Sequence, residues 1–80
     1  MLHHAFSVRL RQLRTDACLS QRDLAEQLGY SLWTLNNWEC NKSNPSAAAL
    51  VDIATFFQVS IDWLLDFKLK EKQDEQIRSV

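Results

Sequence analysis

The sequence predicts an all-α domain of five short helices, and three observations carry that expectation. Glycine and proline occur once each in 80 residues, which leaves little turn material for a β-protein. Apolar residues recur at the three- and four-residue spacing of one helix face in successive segments. A serine stands where four of these segments begin, at Ser20, Ser31, Ser46 and Ser60. A serine side chain at that point satisfies one of the unpaired N–H groups of a helix's first turn. The hydrophobic fraction is 46 %, with three Trp and four Phe, ample for a globular domain. A chain this short has to use every apolar face.

The first helix is expected from about Phe6 or Ser7 to Asp16 or Ala17, after a loose end over residues 1–5. Phe6, Leu10 and Leu13 form its buried face, Arg9 and Arg11 fall elsewhere and are expected to be exposed, and Arg14 lies inward beside Leu10 and Leu13. Ser20 caps the second helix, with Asp23 three residues on in the manner of a capping box. Leu24, Ala25 and Leu28 are its apolar face, and Gly29 stands where a left-handed C-cap is wanted. Ser31 caps a third helix only two residues later. At about 100° per residue, Thr34, Leu35 and Trp38 of that helix cluster inward, while Leu32, Trp33, Asn36 and Asn37 lie on the other side. The small side chain of Ala25 lets the two helices cross closely. Two short helices joined by a three-residue turn make a helix-turn-helix unit.

A polar loop, residues 40–44, leads to Pro45, and Ser46 caps a fourth helix over 47–57 with Leu50, Ile53, Ala54 and Phe57 as its stripe. Gln58 and Val59 connect to a fifth helix, capped by Ser60, with Asp62 in its first turn and Ile61, Leu64 and Leu65 inward. Residues 67–80 hold many helix formers and an Asp74–Arg78 pair at i,i+4, but Leu69 and Ile77 are too sparse for a stripe. They read as an extension of the fifth helix, a linker, or a solvated charged run.

Four groups of residues together resemble the lambda-repressor-like family (the Cro/repressor, XRE type). They are Leu19-Ser20-Gln21 with Leu24-Ala25 and Leu28-Gly29; Ser31 with Thr34-Leu35 and Trp38-Glu39; Asn44-Pro45-Ser46; and Val59-Ser60-Ile61-Asp62-Trp63-Leu64-Leu65. The likeness runs from Phe6 to Asp66. It implies a compact five-helix DNA-binding domain over residues 1–66, with the helix-turn-helix at about 20–39 and a charged extension or linker over 67–80. It also implies a buried ion pair between Arg14 and Glu39. Helix 31–39 is then expected in the major groove of double-stranded DNA, with Leu32, Trp33, Asn36 and Asn37 at base edges. Asn37 suits a bidentate contact to adenine, worth about 1–3 kcal/mol of discrimination.

The resemblance assigns phosphate contacts to Gln21, Asn41 and Lys42, and Arg22 and Asn44 are polar residues of the same edge. Three departures stand out. Cys18 occupies a place where the family often has glycine to end the first helix, so it must take that bend or the helix must run on. Cys40-Asn41-Lys42 replaces a common Arg-Gly-Lys, and asparagine is the residue that best tolerates glycine's left-handed conformation. Leu32 and Trp33 stand where Arg, Gln, Ser or Lys are usual. They either touch thymine methyls or form an exposed apolar patch for a protein partner.

The net charge of −1 is unusual for a nucleic-acid binder. Residues 1–66 carry Arg9, Arg11, Arg14, Arg22 and Lys42 against Asp16, Asp23, Glu26, Glu39, Asp52, Asp62 and Asp66. Four of those acids, Asp23, Glu39, Asp52 and Asp62, read as cap, helix-face or buried-pair residues, so the distribution of charge matters more than its sum. Cys18 and Cys40 make no disulfide framework, and His3 and His4 have no ligand spacing to them. No metal, cofactor or small-molecule ligand is expected. Neither a catalytic Ser/His/Asp constellation nor a phosphate-cradling glycine loop is present, which argues against an enzyme. With no apolar run of transmembrane length and no signal-peptide pattern, a cytoplasmic protein is expected. One module gives short, weak recognition, so a homodimer on a pseudo-palindrome is expected, with Trp63 and Phe67 as interface candidates. Trp63 reads equally well as core. The rival reading is a helix-turn-helix domain used for protein contact, as an antirepressor or adaptor.

Overall fold

The computed structural model describes residues 4–65. Five α-helices follow one another: α1 (His4–Asp16), α2 (Gln21–Leu28), α3 (Leu32–Glu39), α4 (Ala47–Phe57) and α5 (Ile61–Leu65), with no strand among the described residues. The expectations for Phe67 and for an extension over 67–80, including the Asp74–Arg78 pair, lie outside the described residues.

Each serine cap is made. The Ser20 Oγ accepts the Asp23 N–H at 2.9 Å, and the Asp23 carboxylate accepts the Ser20 N–H at 3.2 Å, closing a capping box. Those bonds, the backbone one first, hold the Asp23 carboxyl below its ordinary value. The folded value lies below the unfolded one. The box therefore contributes its stability in full above the ordinary aspartate range and loses it as pH falls through the depressed value. Ser31, Ser46 and Ser60 accept from the N–H groups of Thr34, Ala49 and Trp63 at 3.0, 3.1 and 2.9 Å.

The C-terminal ends are less uniform. Gly29 closes α2 with φ +84°. Cys18, Asn41 and Gln58 also adopt positive φ, at 61°, 61° and 58°. Cys18 takes the bend after α1, its N–H reaching the Thr15 carbonyl at 2.9 Å while the Leu19 N–H reaches Arg14 at 3.0 Å. Gln58 caps α4 in the left-handed conformation, a bend that no glycine or asparagine announces. For a residue with a Cβ this conformation costs roughly 1–2 kcal/mol.

One boundary needs correction. Helix α1 begins at His4 rather than Phe6 or Ser7, so His4 and Ala5, expected in a loose end, belong to the helix. Ser7 lies inside the helix, where its buried hydroxyl donates to the Trp38 carbonyl at 2.7 Å. Nothing in His4-Ala5 opposes a helical turn, and Phe6 anchors that turn in the core.

The core draws on every helix: Phe6 and Leu10, Leu24 and Ala25, Leu35 and Trp38, Ala49, Ile53 and Ala54, and Leu64. Each large apolar side chain fully buried there contributes about 1.5–3 kcal/mol. Trp38 sits near the centre, edge-on to Phe6 at 6.3 Å and to Tyr30 at 5.1 Å between ring centroids. Helix α2 packs on α3, α1 spans α3 and α5, and α4 joins α2 to α5. Ala25 is buried, as a close crossing of α2 and α3 requires. The inner side of α3 is thereby held by its neighbours and its outer side is left uncovered.

Candidate nucleic-acid interface

Two residues at the start of α3 are apolar and exposed. Trp33 has 73 % of its surface accessible and Leu32 37 %. Farther along, Asn36 is exposed and Asn37 half-buried, while Leu35, Trp38 and Glu39 are buried on the opposite side. The four residues expected at base edges therefore share the part of α3 that the core does not use, although Asn37 is partly shielded.

Helix α3 is held at its far end by one carboxylate. Glu39, its side chain fully buried, accepts from Arg14 in a bidentate pair, Nε to Oε2 at 2.7 Å and Nη2 to Oε1 at 3.0 Å. The remaining Arg14 nitrogen, Nη1, donates to the Leu19 carbonyl at 2.9 Å, so this guanidinium ties α1, the turn before α2 and α3 together. Its pKa is raised above the ordinary arginine value because the hydrogen bonds with Glu39 outweigh the cost of burial. Arg11 adds a bond to the Glu39 backbone carbonyl at 3.1 Å and lies 3.6 Å from its carboxylate. Arg11 is exposed, as expected, with 57 % of its side chain accessible. Arg9, expected to be exposed, is instead half-buried: it donates to the Trp63 carbonyl at 2.9 Å and stacks 4.5 Å over the Trp63 ring.

Gln21 joins the same carboxylate. Its Nε2 donates to Glu39 Oε1 at 3.0 Å, and its Oε1 accepts from Asn36 Nδ2 at 3.3 Å. Asn36 Oδ1 in turn accepts a weak bond from the Cys40 thiol at 3.7 Å. The side chains of Arg14, Glu39, Gln21, Asn36 and Cys40 thus form one chain of contacts across α1, α2 and α3. Sequence reasoning missed the links from Gln21 to Glu39 and Asn36, because nothing local in the sequence marks two polar residues 18 or 15 positions apart as neighbours.

These contacts bring the start of α2 beside the end of α3, where the loop over residues 40–44 leaves. Asn41 turns that loop with its positive φ, its N–H reaching the Trp38 carbonyl at 3.2 Å, and the Lys42 N–H reaches Asn37 at 2.9 Å. Ser7 Oγ also lies 3.4 Å from Asn41 Oδ1. Arg22, Lys42 and Asn44 are exposed. The polar residues read as phosphate ligands are therefore gathered near the C-terminal half of α3, whereas Leu32 and Trp33 stand at its N-terminal end. Among the described residues no three His, Cys, Asp or Glu side chains are grouped to hold a metal, and no helix is long and apolar enough to cross a membrane. Cys18 and Cys40 are exposed and not bridged.

A family model described as helix-turn-helix matches residues 10–64, more than half of the chain. The chain belongs to the XRE-type helix-turn-helix family. Members similar to it are transcriptional regulators. HTH-type transcriptional activator BcrR of Enterococcus faecalis is 45 % identical over 60 residues, covering 75 % of this chain and 29 % of that protein. Repressor protein CI of Enterobacteria phage phi80 is 39 % identical over 70 residues, covering 88 % of this chain and 29 % of that one. The chain thus matches under a third of the length of these two XRE-type relatives. Its fold is shared with the hypothetical transcription factor NHTF from Neisseria, at a TM-score of 0.74 and 23 % identity over 88 % of this chain and 84 % of that one. It is likewise shared with the clp gene regulator ClgR from Corynebacterium glutamicum, at 0.72 and 24 % over 99 % and 89 %.

Proposed function

We propose that this chain is a sequence-specific double-stranded DNA-binding transcriptional regulator, acting in the cytoplasm as a repressor. The observation that carries the reading is the outer side of α3: it is uncovered, bears Trp33 at 73 % exposure, and is backed by the Arg14–Glu39 ion pair that ties the end of the helix to α1. A helix anchored from behind with an open face is the object that fits a major groove. Leu32, Trp33, Asn36 and Asn37 read base edges, Asn37 by a bidentate contact to adenine and the two apolar residues by touching thymine methyls. Backbone N–H groups at the start of α2, together with Gln21, Arg22, Asn41, Lys42 and Asn44, position the duplex through its phosphates. Two copies bind a pseudo-palindrome with half-sites about 34 Å apart. Trp63, 37 % exposed beneath Arg9, and Phe67 supply the dimer contact. The likeness of 88 % of the chain to a named repressor favours repression.

Selection from a random duplex pool tests the reading. The expected result is one enriched half-site, bound with an affinity that falls steeply as salt rises. Asn37→Ala relaxes preference at one position of it, and Lys42→Ala weakens all sequences alike. No enrichment and no low-salt binding would remove the proposal. That outcome favours a second reading, a protein-contact module, which rests on the exposed Leu32 and Trp33 and on the net charge of −1.

A further inference from the structure

The first turn of α3 is poor in groups that could hydrogen-bond a base. Leu32 and Trp33, exposed there at 37 % and 73 %, carry between them a single polar atom, the indole N–H, which only donates. The hydroxyls on either side are engaged with each other: Ser31 Oγ donates to Thr34 Oγ1 at 2.9 Å and accepts the Thr34 N–H at 3.0 Å. No charged residue stands in the turn. Leu32 and Trp33 thus offer no acceptor to the amino group of adenine or cytosine. What they offer is apolar surface, at the end of the helix whose residues reach base edges when a helix of this kind lies in the major groove. The apolar group on the floor of that groove is the methyl at C5 of thymine. Cytosine methylated at C5 carries the same group at the same place on the ring.

We propose that Leu32 and Trp33 recognise the 5-methyl group itself rather than thymine. The chain then accepts 5-methylcytosine in its site, and its binding responds to methylation of the DNA. This rests on the DNA-binding reading above and goes beyond it, because it names a modified base as a ligand and covalent marking of the duplex as the regulation. Covering one methyl group in apolar contact strengthens binding by a factor of about four.

The test starts from the duplex that the wild-type chain selects out of a random pool. Each thymine of that site is replaced in turn by deoxyuridine, which removes only the methyl. The position where this weakens binding is then filled with cytosine or 5-methylcytosine opposite guanine. The expected result is binding about fourfold tighter for thymine than for deoxyuridine, and about fourfold tighter for 5-methylcytosine than for cytosine. In the double variant Leu32→Ala/Trp33→Ala both ratios fall to about one, with the salt dependence unaltered because no phosphate contact is lost. Thermal melting confirms that this variant is folded, and the wild-type comparison stands without it.

Three results would overturn the inference by itself while the wild type still selects a site. One is deoxyuridine bound as tightly as thymine at every position. Another is a methyl that counts on thymine but not on cytosine, which means that thymine's own edge is read. The third is a folded double variant that keeps both ratios, which sets the methyl against other residues. A wild-type chain that enriches no sequence removes the DNA-binding reading and this inference together.

Discussion

Glu39 is the residue on which most of the polar structure converges. Its buried carboxylate accepts from Arg14 and Gln21, with Arg11 at its margin. Removing one partner of such a pair strands a charge in the interior, at a cost of about 3–5 kcal/mol. Domains of this size are stable by only about 5–15 kcal/mol in total. Glu39→Gln is therefore expected to move the urea midpoint far down, and a loss below about 1 kcal/mol would mean the pair is worth no more than a surface one. Arg11→Ala is the internal comparison. Its side chain is 57 % exposed, so its removal is expected to cost under about 1 kcal/mol.

At the scale of the helix ends, the left-handed caps make opposite demands. Gly29, at φ +84°, has nothing within 4 Å of where a Cβ would stand. Gly29→Ala thus tests the backbone alone and is expected to cost about 1 kcal/mol. Cys18 has the same kind of conformation with a side chain attached, at φ 61°. Cys18→Gly should relieve that cost, less the extra freedom a glycine gives the unfolded chain. A net gain of about 0.5–1 kcal/mol raises the melting temperature by several degrees in a domain this small. Calorimetry showing a fall instead would mean that the exposed Cys18 side chain makes contacts worth more than the strain.

For the whole molecule, the three tryptophans divide the work between core and surface. Trp38 is 4 % exposed, Trp63 37 % and Trp33 73 %. Acrylamide is expected to quench mainly Trp33, and Trp33→Phe should remove that fraction while changing stability by no more than about 0.5 kcal/mol. Adding the selected duplex should shield Trp33 from the quencher. Quenching unaltered by bound duplex would place the apolar end of α3 away from DNA and favour the protein-contact reading.

The parts of this architecture legible in the sequence are those whose causes lie within a few residues. A serine three positions before its N–H partner, a glycine after an apolar face and a 3.6-residue stripe all act locally. The sequence by itself therefore determined the helix count, most of the boundaries, the core-facing residues and the open side of α3. The tertiary structure alone decided what joins residues distant along the chain. Ser7 meets the Trp38 carbonyl across 31 positions, Arg9 meets Trp63 across 54, and Gln21 meets Glu39 across 18. Periodicity says which way a side chain points from its own helix. It carries no information on which side chain of another helix arrives opposite, because that depends on how the helices cross.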